Sequence, residues 1–161
     1  METSRLFYKK TQGEIEAKDY VEWAYSMVEN QYTSSALNIL AFLEEPINIF
    51  EVEQLFQRVI GELTLDEPTY EEQVNAQIQY LLQQIILDQE SAMDYAYDLY
   101  KVYVKSFGYE EDKTMVWLYL TDMIDDLKYG DNVNNYTKNS VERSILQAAK
   151  EQLNEQLSIN K

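Results

Sequence analysis

The sequence predicts an all-α fold, about seven helices arranged as a compact bundle or as an irregular stack of antiparallel helical hairpins. Three observations predict it. Only four of the 161 residues are glycine and two are proline, too few turn residues for a many-stranded β fold. Apolar residues make up 45% of the chain, enough for a core and too many for a disordered class. Through most of the length the apolar positions recur at spacings of three and four. The length suits one domain, so 1–161 is expected to be a single helical domain. Residues 1–16, which show no clean period, read as an ordered arm or a frayed end.

The first helical pattern starts at Ala17, carries Tyr20, Val21, Ala24, Met27 and Val28 on one side, and ends near Asn30. Thr33 or Ser34 can cap the next segment, SALNILAFL, which is apolar on almost every side and is expected to be short and deeply buried. Pro46 disfavours helix at Glu45. Asn48 then serves as an N-cap with Glu51 as its reciprocal partner, ahead of the stripe Val52, Leu55, Phe56, Val59, Ile60 and Leu63. Pro68 breaks the chain again, and Thr69 with Glu72 repeats the capping pattern. The helix that follows runs to about Asp88, with Val74, Ile78, Leu81, Leu82, Ile85 and Ile86 inward and Gln73, Gln77, Gln83 and Gln84 on or near the other side. A fifth helix from about Ser91 buries Ala92, Ala96, Leu99, Tyr100, Tyr103 and Phe107 and stops at Gly108 in a left-handed conformation. A sixth, Asp112 to Tyr129, turns Val116, Leu120, Met123, Ile124 and Leu127 inward. The seventh follows the polar loop GDNVNNYTKN with Val141, Ile145, Ala149, Leu153 and Leu157. No repeat signature of the tetratricopeptide, ankyrin or leucine-rich kind is present.

Cysteine and histidine are both absent, which removes disulfides, thiolate and imidazole nucleophiles, and metal sites with sulfur or nitrogen ligands. There is no Gly-rich phosphate loop either, so no catalytic residue and no cofactor is expected, and a binding protein outranks an enzyme. No apolar run is long enough to span a membrane, and METSRLFYKK lacks the apolar stretch of a signal peptide, so a cytoplasmic protein without a membrane partner is expected.

The formal net charge of −16 repels phosphate backbones and attracts cations, which argues against direct nucleic-acid binding and for a basic protein partner. Its distribution is uneven: residues 44–100 contribute −12, and the segments on either side −2 each. Some acids have local structural reasons, Glu51, Glu71 and Glu72 in first helical turns above all. Others lack one. Glu44 and Glu45 precede the Asn48 cap; Glu62, Asp66 and Glu67 add to a long stretch without bases; Asp94 and Asp98 are like charges one turn apart. Asp122, Asp125 and Asp126 lie near a predicted helix C-terminus, where negative charge is disfavoured. Their helical phase points outward, so a partner-facing patch is expected in preference to a metal site. Fourteen tyrosines accompany these acids. Tyr20, Tyr100 and Tyr103 fall on apolar stripes, whereas Tyr25, Tyr32, Tyr70, Tyr97, Tyr109 and Tyr136 fall off them. Surface tyrosines beside carboxylates suit an interface with Arg and Lys on the other side, and Tyr97 joins the eleven residues expected to bind a partner.

In size, charge, lack of cysteine and helical style the chain resembles bacterial immunity proteins that partner polymorphic or contact-dependent toxins. That resemblance implies an inhibitor that neutralises a basic toxin such as a nuclease domain. The stretch ALNILAFLEEPINIFEVEQLF also resembles segments of small uncharacterised bacterial helical proteins, from which no residue role carries over. Two other readings are a nucleic-acid mimic of anti-defence type, whose carboxylates imitate a phosphate track, and a helical scaffold or adaptor.

Overall fold

The computed structural model describes residues 1–159, with side chains as far as Gln156. Among the described residues the chain is all-helical, with eight helices and no strand. They are α1 (Thr3–Gln12), α2 (Ala17–Glu29), α3 (Ser35–Ala41), α4 (Ile49–Leu63), α5 (Tyr70–Leu87), α6 (Ala92–Phe107), α7 (Asp112–Lys128) and α8 (Lys138–Ile159). The chain divides into two compact units, Met1–Ala76 and Gln77–Lys161, with the boundary inside α5.

The first unit is built around Phe56. Its ring lies 5.6 Å from Phe7, 5.1 Å from Tyr20 and 5.0 Å from Trp23, so α1, α2 and α4 meet at one aromatic side chain. The segment 1–16, expected as an arm or a frayed end, is thus the helix that raises the count from seven to eight. Leu6 and Phe7 are buried in the core, and the polar sequence TSRLFYKKTQ hides that fact because only one side of the helix is apolar. Gly13 ends α1 in the left-handed region at φ 72°, where its lack of a Cβ matters. Lys9 Nζ reaches the buried Asp19 at 2.5 Å, and the same Oδ2 accepts the Glu16 N–H at 2.8 Å, so one carboxylate caps α2 and fastens α1 to it.

Three expectations in this unit need correction. Helix α3 is not buried all round: Ala36, Leu37, Leu40 and Ala41 face the core, but Ile39 is 47% exposed and Phe42, at the C-cap, 64%. Asn48 does cap α4, yet its Oδ1 accepts from Phe50 N at 3.0 Å, and Glu51 stays exposed in the first turn instead of closing a reciprocal box. Gln73, assigned to or near the polar side of α5, is buried, with Nε2 donating to the Pro68 carbonyl and Oε1 accepting from Thr11, both at 2.8 Å. The Thr69–Glu72 box forms as expected, with Thr69 N donating to Glu72 Oε2 at 2.7 Å and Glu72 N donating to Thr69 Oγ1 at 3.3 Å.

In the second unit α7 buries Leu120, Met123 and Ile124 as expected, but Val116 is 48% exposed and Trp117, with Thr114 and Thr121, takes the inward side instead. Trp117 wins the inward position because its larger surface gains more from burial than that of Val116. Its indole N–H donates to Gln152 Oε1 of α8 at 2.9 Å, and Gln152 Nε2 donates to the Tyr103 hydroxyl of α6, which ties three helices through one buried amide. Burial pushes the Tyr103 phenol well above its ordinary range. Phe107, expected inside, is exposed at the end of α6 against Tyr103. Gly108 stops that helix at φ 76°, but ψ is −170°, so the backbone is extended and not left-handed helical. The expected inward position of Leu157 lies outside the described side chains.

Candidate partner-binding surface

Helices α6 and α7 pack side by side, and each presents polar residues one turn apart. On α6 these are Asp94, Tyr97, Asp98 and Lys101; on α7 they are Asp122, Asp125 and Asp126, followed at the C-cap by Tyr129. The two rows are joined where the Tyr97 hydroxyl donates to Asp125 Oδ1. Lys128 Nζ stands 5.7 Å from the centre of the Tyr97 ring, so the ring is gripped at its hydroxyl and over its face. Desolvation, then the bond to Asp125 and the charges of Asp125, Tyr129 and Asp94, hold the Tyr97 phenol far above its usual range.

Two further phenol pairs flank this bond, each under the charge of an α7 aspartate. The Tyr100 phenol is raised by burial, by its bond with Tyr109 and by the Asp122 charge. The hydroxyls of Tyr119 and Tyr136 lie 3.3 Å apart, and Tyr136 is raised by that bond, by burial and by the charges of Tyr119 and Asp126. The loop after α7 places Tyr136: Asn132 Oδ1 accepts its N–H at 2.7 Å and Asn132 Nδ2 donates to its carbonyl at 2.8 Å. A neutral Tyr97 donates to Asp125 throughout the physiological range, so this ring is ordered before any partner arrives.

All six expected residues of the second unit therefore belong to one pair of helices. Local electrostatics also explains more of them than the sequence indicated. Asp94 sits in the first turn of α6, where the helix dipole favours it, and Asp98 accepts from Lys101 at 3.0 Å. Asp122 and Asp125 are exposed and Asp126 is half-buried. Sequence reasoning passed over Tyr119 and Tyr129, which are 59% and 83% exposed. The signal for Tyr129 was available, since it lies four residues beyond Asp125 and three beyond Asp126.

The other five residues fall in the first unit. Glu44 and Glu45 are exposed in the turn between α3 and α4, beside a cis Glu45–Pro46 bond, and Asp66 and Glu67 are exposed between α4 and α5. Glu62 is committed elsewhere. It accepts the Ala36 backbone N–H at 2.8 Å and lies 3.4 Å from Arg58. That N–H, and then the Ser34 hydroxyl, bring the Glu62 carboxyl below its ordinary range. Ser34 itself accepts from Leu37 N at 3.1 Å, so two residues 28 positions apart cap the same helix.

Among the described residues no group of three or more Asp or Glu is placed to hold a metal ion, and no helix is long and apolar enough to cross a membrane. Comparison with protein-family models, curated proteins and solved structures returns no match to this chain.

Proposed function

We propose that the chain is a protein-binding inhibitor of immunity type, which neutralises a basic partner such as a nuclease toxin domain through the acid and tyrosine face of α6 and α7. The carrying observation is the Tyr97–Asp125 bond, flanked by Asp94, Asp98, Asp122 and Asp126, because it combines a rigid aromatic surface with carboxylates of one sign. Five acids against Lys101 and Lys128 leave this face negative. Such a face meets Arg and Lys side chains that line a phosphate-binding cleft, and it steers a cationic partner toward contact. The protein acts by occlusion, without cofactor or chemistry of its own, in the cytoplasm of the cell that makes the toxin.

The test is association with the product of the neighbouring reading frame, expected to carry a basic toxin domain, followed at low and high salt. Replacing Asp122, Asp125 and Asp126 together by Lys should slow association roughly tenfold or more and flatten its salt dependence. The cooperative thermal transition should survive. A partner that binds the triple variant as tightly as the original, or binding indifferent to ionic strength, overturns the reading.

A further inference from the structure

The first unit carries a second exposed surface of different character, independent of the α6 and α7 face. The Tyr25 ring of α2 and the Phe42 ring at the end of α3 meet edge to face, with centroids 6.4 Å apart. Both are largely in water, 49% and 64% exposed, and Ile39, one turn before Phe42, is 47% exposed. These three side chains form an apolar ridge across two packed helices, and the fold has no use for it: the same helices already bury Trp23, Ala24, Leu37 and Leu40 on their inner sides.

The charged residues around the ridge are all acidic. Glu22 and Glu29 lie three residues before and four after Tyr25 on α2, Glu44 and Glu45 follow Phe42 in the chain, and all four are exposed. Between Lys18 and Arg58 the sequence contains no basic residue. An apolar centre with a rim of one charge favours a partner of the opposite charge that also brings apolar side chains. A second copy of the chain would set one acidic rim against another. The ridge lies on helices and not on a strand edge, so it offers no β-pairing and is read by side chains.

We propose that the Tyr25–Ile39–Phe42 ridge docks a basic amphipathic helix, its apolar side chains seated on the two rings and its Lys and Arg residues against Glu22, Glu29, Glu44 and Glu45. Phe42 and Tyr25 are the anchors and the glutamates set selectivity.

The probe is a synthetic amphipathic helical peptide of Leu and Lys, titrated into the full chain while backbone amide shifts are followed by NMR. A scrambled peptide of the same composition and a Leu and Glu peptide serve as controls. Shifts should centre on Tyr25, Ile39 and residues 42–45. Phe42→Ser should weaken binding about tenfold or more, as expected of an aromatic anchor, with Ile39→Gln as a second variant should the first disturb folding. Glu44→Lys with Glu45→Lys should weaken it several-fold and reduce its salt dependence. The proposal is overturned if the scrambled peptide binds equally, if shifts centre on α6 and α7 and both apolar variants leave affinity unchanged, or if the ridge proves to mediate self-association that Phe42→Ser abolishes.

Discussion

The two units use the same residue types for different ends. The first, residues 1–76, has fifteen acids and five bases, and the second, residues 77–161, fourteen and eight. By net charge the first unit is the more obvious binding surface. Yet several of its acids are occupied by the fold: Asp19 caps α2 and pairs with Lys9, Glu53 accepts from the Tyr20 hydroxyl at 3.0 Å, Glu62 caps α3, and Glu72 closes the cap of α5. In the second unit, Asp125 bonds to the half-buried Tyr97, Asp98 pairs with Lys101 at the surface, and Asp94 and Asp122 stand open to solvent. The difference teaches that a charge map ranks regions by field, whereas availability depends on which backbone N–H groups and cations have already claimed each carboxylate.

The largest expected effect on this contrast comes from Asp19→Ala. It leaves the Lys9 ammonium beside a partly buried vacancy and removes the α2 cap, so the loss should be about 3 kcal/mol or more, read from the urea midpoint at constant slope. A loss under about 1 kcal/mol would mean that the acids of the first unit are as dispensable as surface charges generally are.

A smaller effect appears on the acid side. Glu62 and Glu72 both have folded carboxyl groups below their ordinary range, through the Ala36 and Thr69 N–H groups first. Their contribution is therefore complete above the unfolded glutamate value of about 4.3 and disappears as pH falls through the lower folded values. Glu62→Gln with Glu72→Gln should reduce stability at neutral pH and make the decline on acidification shallower. Parallel acid limbs for variant and original would remove these two residues from the account. The smallest effect on stability belongs to Asp125→Asn, expected within about 0.5 kcal/mol as for other surface sites. The same change should lower the pH at which Tyr97 ionises, since Asp125 is the largest specific partner acting on that phenol, and a spectrophotometric tyrosine titration reads it directly.

Much of the fold was legible in the sequence. Apolar periodicity located seven of the helices, and the stops at Pro46, Pro68 and Gly108 were real because proline and glycine act through the local backbone. Helix α1 escaped because ten residues with one apolar side and two lysines look like a tail until Phe56 is known to lie beneath them. Val116 and Trp117 illustrate another limit: either of two adjacent apolar residues fits the period, and the larger surface of Trp117 is buried with its indole N–H satisfied by Gln152, a partner 35 positions on. At the candidate surface, the acids could be nominated from spacing. The Tyr97–Asp125 bond could not, nor could the commitment of Glu62 to α3, since both depend on contacts more than 20 residues apart.

The chain has two tryptophans, and one is buried in each unit: Trp23, whose indole donates to Thr3 Oγ1 at 3.0 Å, and Trp117, held by Gln152. Each unit thus contains its own built-in fluorophore, dry in the native state and quenched or red-shifted once water reaches it. Replacing either tryptophan by phenylalanine leaves a single emitter, so the melting of residues 1–76 and of 77–161 can be timed separately, without labels, in the same tube as a binding partner.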